Sequence, residues 1–113
     1  MRTEIQRISD EWLVLRAQGG DEKALALLVA RNQGLVLRHA MRLTRDPDAA
    51  ADVAQETWLA VVKRLHRLRD PRAFHAFALR ITGHKAADWT RGRVRRRRAW
   101  PGLHARAAQL AAP

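Results

Sequence analysis

Asp52 and Glu56 stand four residues apart with Gln55 beside them, and Leu59 and Lys63 continue the spacing. On an α-helix these side chains share one side. Two carboxylates so placed repel by roughly a few tenths of a kcal/mol, a cost a plain surface has no reason to carry. Paired carboxylates could do acid–base chemistry, but no nucleophile or metal ligand is near in sequence, and the chain holds one serine. There is no cysteine, which excludes thiol catalysis and thiolate zinc sites. The histidines, His39, His66, His75, His84 and His104, show no spacing of three or four, so no metal site is expected. Neither G-x-x-x-x-G-K-[ST] nor G-x-G-x-x-G occurs. The reading is therefore a protein that is not an enzyme and carries no cofactor. Two readings of the acidic side stay open. It is an ordinary solvated face with Asp52 favouring the helix dipole. Or it is a docking patch, with Leu59 a knob ringed by Asp52, Gln55, Glu56 and Lys63, meeting a basic helical partner.

A second row has the opposite sign. Arg80, His84, Asp88, Arg91 and Arg95 follow at steps of four, four, three and four, and six arginines fall within 91–98. Residues 71–113 carry net +9, against +2 for residues 1–70, within a total of +11. Such a half is suited to a polyanion, and its arginines to phosphate forks and base stacking. A solvated basic tail without a specific partner is the plainer alternative. Arginine far outnumbers lysine. A GC-rich genome accounts for that excess equally well, but not for the clustering.

The elements that must position these rows all read as helix. The 113 residues make one domain, and 47% hydrophobic content suffices for one modest core. The longest apolar run, Ala24 to Ala30, is far short of the ~20 residues needed to span a bilayer. The N-terminus does not resemble a signal peptide, so a soluble, cytoplasmic chain with no membrane partner is expected. Gly19-Gly20 closes a first helix over about 10–18, capped by Ser9 or Asp10, and Asp21 caps a second over about 22–43. Asp46-Pro47 and Asp70-Pro71 are two copies of one start signal. They open helices over about 47–68 and from 71 into the arginine run. Gly34 and Gly83 are candidate kinks. Helix three should bury Ala54, Trp58, Val61, Val62 and Leu65, and helix four Phe74, Phe77, Ala78 and Ile81 with the Lys85 stem snorkelling. Trp12 and Trp89 read as core or rim. The expected fold class is all-α, a compact bundle of about four helices over residues 10–98. An arm (1–9) precedes it, and an Ala-rich tail or linker start (99–113) follows.

With these residues in place, the sequence resembles region 2 of bacterial sigma factors, and within them the extracytoplasmic-function type. The resemblance runs through L-V-L-R-A-Q-G-G-D (13–21), D-A-A-A-D-V-A-Q-E-T-W-L-A-V-V-K-R-L (48–65) and D-P-R-A-F-H-A-F-A-L-R-I-T-G-H-K-A-A-D-W-T-R (70–91). It covers about residues 10–98. The D-x-x-Q-E pattern of Asp52 to Glu56 is its most specific piece. It implies docking of Asp52, Gln55, Glu56, Leu59 and Lys63 on the β′ clamp helices of core RNA polymerase. It also implies that Arg69, Arg72, Phe74, Arg80, His84, Lys85, Asp88, Arg91 and Arg95 contact the non-template strand of the minus-ten promoter element. An anti-sigma factor is implied as an inhibitor. Two positions depart from the family: Phe77-Ala78 stands where Trp-Leu is usual, and His84 where Asn is common. The family's helix-turn-helix domain, region 4, is not in this sequence, which ends about where the linker would begin. Two other functions compete: a nonspecific basic nucleic-acid-binding protein, and a polymerase-docking interaction protein without initiation activity.

Overall fold

Aspartates set the helix starts. Asp21 accepts hydrogen bonds from the backbone amides of Lys23 and Ala24, both at 3.1 Å, opening α2 (Glu22–Thr44). Asp46 accepts from the amides of Asp48 and Ala49 at 3.0 and 3.5 Å, and Pro47 begins α3 (Pro47–Arg64). Asp70 accepts from the Arg72 amide at 2.9 Å and opens a 3₁₀ turn, Pro71–Ala73, that runs into α4 (Phe74–Ala99). Each cap satisfies amides that would otherwise lack a partner in the first turn. The structure is a computed structural model; it describes residues 4–99, and side chains from residue 10 to 93. The tail beyond 99 and the side chains of the 95–98 arginines lie outside that range.

Two expectations are corrected. Neither Ser9 nor Asp10 caps α1, which spans Glu4–Gln18 and holds both residues inside it. The third helix does not run to residue 68: it ends at Arg64 and tightens into a 3₁₀ turn at Leu65–Arg67. Gly34 and Gly83 lie within helices unbroken at both positions. Two turns take positive φ, one at a glycine and one at a residue that rarely adopts it. Gly20 sits at φ 97 after α1, and Arg45 at φ 56 closes α2, its amide donating to the Met41 carbonyl at 2.8 Å.

The described residues form an all-α bundle of four helices, without strands. Its main core joins Leu13 and Val14 of α1, Leu28 and Val36 of α2, Trp58 and Val61 of α3, and Phe74 and Ile81 of α4. A smaller cluster, Ala40, Ala50, Val53 and Ala86 with Trp89 against it, seals the far end. Alanines dominate that end, so the helices can approach closely there. Buried hydroxyls spend their hydrogen bonds on their own helices: Thr57 and Thr82 donate to the carbonyls of Val53 and Ala78, both at 2.8 Å.

Candidate functional site

The phase of α3 follows from its start and its neighbours. It buries Ala50, Val53, Ala54, Thr57, Trp58 and Val61 between α2 and α4. What remains outside is Asp52, Gln55, Glu56, Leu59 and Lys63, all exposed, with Leu59 at 53%. The five residues the sequence singled out therefore share one solvent-facing side. Val62 does not join the core as expected; it is 49% exposed. The reason is the phase: the buried arc centres on Val53, Ala54, Thr57 and Val61, and Val62 lies on its edge. Val62 instead lines a groove of about 570 Å³ between α2 and α3. Val29, Gln33 and Leu37 form one wall, and Gln55, Trp58, Leu59 and Val62 the other. The knob foreseen at Leu59 is thus one lip of an apolar furrow. The α2 wall was missed because only the tertiary packing brings it beside α3.

The basic row lies on α4 and the turn before it. Arg80 and His84 are exposed, and Lys85 is half-buried, as a snorkelling stem requires. Asp88 and Arg91 form an exposed ion pair one helical turn apart. Arg69 and Arg72 project from the segment between α3 and α4. Arg72 forks onto the Asp70 carboxylate at 3.1 and 3.2 Å. That guanidinium, followed by the Arg72 amide, holds the Asp70 carboxyl below its ordinary value. Arg95 lies on α4 with its side chain outside the described residues.

Phe74 is a correction. It is 1% exposed, the largest of the fully buried side chains, and its ring sits in the main core. No base can reach it in this fold. Its neighbour Phe77 is half-buried rather than fully enclosed. Trp58 is 9% exposed, as expected, and its indole Nε1 finds no acceptor among the described residues. Trp12 departs from the expected core or rim place: it is 57% exposed, with the Arg16 guanidinium 5.2 Å from its ring centre.

The acidic and basic rows meet along the α3–α4 seam. A notch of about 310 Å³ is lined by Asp52, Val53 and Glu56 from α3 and by Lys85, Asp88, Trp89 and Gly92 from α4. Trp89 is half-buried there, with the Arg93 guanidinium 5.6 Å from its ring centre.

One polar cluster escaped the sequence reading. Asp10, 2% exposed, meets the Arg31 guanidinium at 3.4 Å and His75 Nε2 at 3.2 Å. His75 Nε2 also lies 2.9 Å from Asn32 Oδ1, while Asn32 Nδ2 donates to the Leu28 carbonyl at 2.7 Å. The cluster joins α1, α2 and α4, and its members are up to 65 residues apart. No local spacing could reveal it. Among the described residues, no group of three His, Asp or Glu side chains is placed to hold a metal ion. Nor is any helix there long and apolar enough to cross a membrane.

Residues 28–98 match the sigma-70 region 2 family. The chain belongs to that family. It is 43% identical over 89 residues to the ECF RNA polymerase sigma factor ShbA of Streptomyces griseus, covering 74% of this chain and 47% of that one. It is 36% identical over 87 residues to the RNA polymerase sigma-H factor of Pseudomonas aeruginosa, covering 77% and 45%. The ECF RNA polymerase sigma-E factor of Escherichia coli is 33% identical over 91 residues, covering 80% and 47%. The chain thus spans a little under half of each of these relatives.

Proposed function

We propose that this chain is the part of an alternative sigma factor that docks on core RNA polymerase and captures the displaced strand of the minus-ten promoter element. The observation that carries the reading is one of placement. An exposed acidic and apolar face on α3 adjoins an exposed basic face on α4, in a chain of the sigma-70 region 2 family. Asp52, Gln55, Glu56, Leu59 and Lys63 take the polymerase, and the α2–α3 groove receives an apolar ridge of the same partner. The β′ clamp helices are that partner. Arg69, Arg72, Arg80, His84, Lys85, Asp88, Arg91 and Arg95 hold the strand.

The mechanism is capture. Bases that breathe out of the duplex lose stacking worth a few kcal/mol, roughly regained when each stacks on a flat side chain at ~1–3 kcal/mol. With Phe74 enclosed, flat groups in reach of solvent on this side include the His84 ring and the guanidiniums of Arg69, Arg72, Arg80 and Arg91. Phosphates pair with the arginines. An anti-sigma protein would silence the chain by covering either face.

The experiment is a pair of measurements on the full chain: affinity for purified core polymerase, and affinity of the resulting complex for single-stranded minus-ten oligonucleotides against shuffled ones. Tight docking with strand preference supports the proposal. Docking without strand preference leaves an interaction protein. Strand binding without docking or preference leaves a nonspecific basic binder.

A further inference from the structure

The segment between α3 and α4 consists of two short 3₁₀ turns joined by residues 68–70. After Arg64 the chain makes a 3₁₀ turn, then an extended residue, Leu68, and only at Pro71 does it turn again. The carbonyls at the end of a helix have no partner within it. Here the Leu65 carbonyl accepts the Leu68 amide at 3.0 Å, and its remaining lone pair and the carbonyl of the extended residue Leu68 are both taken by a side chain from elsewhere. Gln18, the last residue of α1, donates from Nε2 to the Leu65 carbonyl at 2.9 Å and to the Leu68 carbonyl at 2.7 Å. Both protons of the amide are thereby used. Eight residues earlier, about 12 Å along the same helix at 1.5 Å per residue, Asp10 meets His75 at 3.2 Å, the second residue of α4. Leu13 and Val14 lie between these two ties and are buried, so α1 is itself anchored. The stretch from Leu65 to His75 is therefore fastened at both ends to one rigid helix. Arg69 and Arg72 stand exposed at its middle, Arg72 with its guanidinium on the Asp70 carboxylate.

We infer that Gln18 is a positioning residue for strand recognition: its double hydrogen bond to the 65–68 turn makes α1 a splint that fixes where Arg69 and Arg72 point. The inference rests on the proposed reading of that segment and α4 as the strand-capturing surface. A side chain distinguishes one base from another only when it is held within ~0.5 Å of its working position. Two 3₁₀ turns joined only by residues 68–70 do not fix each other's position to that tolerance, and the amide of Gln18 ties the first turn and Leu68 to α1. α1 itself takes no part in the acidic face, so loosening this tie leaves polymerase docking intact.

The test uses the full chain with Gln18→Met, which keeps the length and apolar body and loses both donors. Gln18→Lys, which restores a donor that can reach two carbonyls, serves as the rescue. The probe is a single-stranded DNA oligonucleotide selected from a random pool on the wild-type chain, compared with its base-shuffled counterpart. In Gln18→Met, amide exchange over residues 66–73 should quicken by about tenfold, the scale of one modest hydrogen bond. The ratio of affinities for selected and shuffled strands should fall by a similar factor. The salt dependence of binding and the affinity for core polymerase should stay at wild-type values, and Gln18→Lys should recover most of the preference. Unchanged preference in Gln18→Met overturns the inference. So does an equal loss of polymerase and strand binding with a lowered melting temperature, which would make Gln18 a general brace. A wild-type chain that selects no sequence at all removes the strand reading itself, and that result comes from the first arm before any variant is made.

Discussion

Leu59→Asp should separate docking from folding. Leu59 is 53% exposed on the lip of the α2–α3 groove, so about half of its side chain is free to be covered by a partner. Burying a whole leucine side chain contributes ~1.5–3 kcal/mol, so covering the free half contributes about 1 kcal/mol. An aspartate there loses that term and places a charge against an apolar ridge. Desolvating a polar group without a partner adds roughly 1–3 kcal/mol. The expected loss is about 2–4 kcal/mol, or roughly 30-fold to 1,000-fold in affinity for core polymerase. The same change should leave the melting temperature close to wild type, because surface substitutions away from caps and cores usually stay within ~0.5 kcal/mol. Titration of labelled chain with purified core enzyme, with a circular dichroism melt beside it, reads both. Leu37, 40% exposed on the opposite wall, gives the control on geometry. If the furrow is one surface, Leu37→Asp weakens docking too. Wild-type affinity in Leu59→Asp refutes the docking face, and a loss in Leu59→Asp without one in Leu37→Asp refutes the groove while leaving the acidic knob.

Four further outcomes follow. Phe74→Ala should unfold most of the chain, at a cost of ~3–5 kcal/mol for an enclosed aromatic, and a folded variant with altered strand preference would return Phe74 to the surface. Trp58→Phe should cost far less than Trp58→Ala, since it keeps most of the ring and removes a buried donor without an acceptor; equal losses in thermal melts would show that the Nε1–H is satisfied. Asp21 and Asp70 both have carboxyls held below the ordinary value, Asp21 chiefly by the Ala24 amide and then Arg16, Asp70 chiefly by the Arg72 guanidinium. A lowered carboxyl stabilises the fold above its unfolded value and stops doing so as pH falls through the folded one. Replacing both by Asn, which caps without titrating, should therefore flatten the acid end of a melting-temperature profile, and an unchanged profile would contradict it. Lastly, binding to single-stranded DNA should show a log–log salt slope near −3 for about four phosphates at roughly −0.7 each, and replacing arginines 95–98 with alanine should flatten the slope without altering preference.

What the sequence made legible was whatever acts over one or two turns of chain. The aspartate caps at 21, 46 and 70 act within three residues, so their positions announced three helix starts. At Phe74 two lines of reasoning competed. The 3–4 spacing of α4 placed it in the core, the family resemblance placed it on DNA, and the periodicity was the better guide. Val62 went the other way. A stripe drawn on a single helix assumes one buried side, but α3 packs on both α2 and α4 and buries an arc whose centre lies elsewhere. Small residues hid that arc: Ala49, Ala50 and Ala60 are buried, yet they carry little weight in a hydrophobic pattern. Contacts between distant segments had no local signal at all. His75 finds Asp10 across 65 residues, and Gln18 finds Leu68 across 50.

The alanines also explain how two surfaces of opposite sign come to lie side by side. Helices packed on large side chains stand about 10 Å apart, and those packed on small ones nearer 8 Å. Ala40, Ala50 and Ala86 line the far end of the bundle where α2, α3 and α4 converge, and only Val53 and Trp89 add bulk there. Asp52 and Glu56 of α3 line the same notch as Lys85 and Asp88 of α4. Three carboxylates share that notch with one ammonium and both rows are wet, so the charges add little to the pairing of α3 with α4, where even an exposed ion pair contributes only ~0–1 kcal/mol. The fold therefore rests on the alanine seam and the buried aromatic core, and the charges are left to recognition. On that reasoning, enlarging the seam with Ala50→Leu should push α3 from α4 and weaken docking and strand binding together. Glu56→Lys should weaken docking alone and leave the melt unchanged.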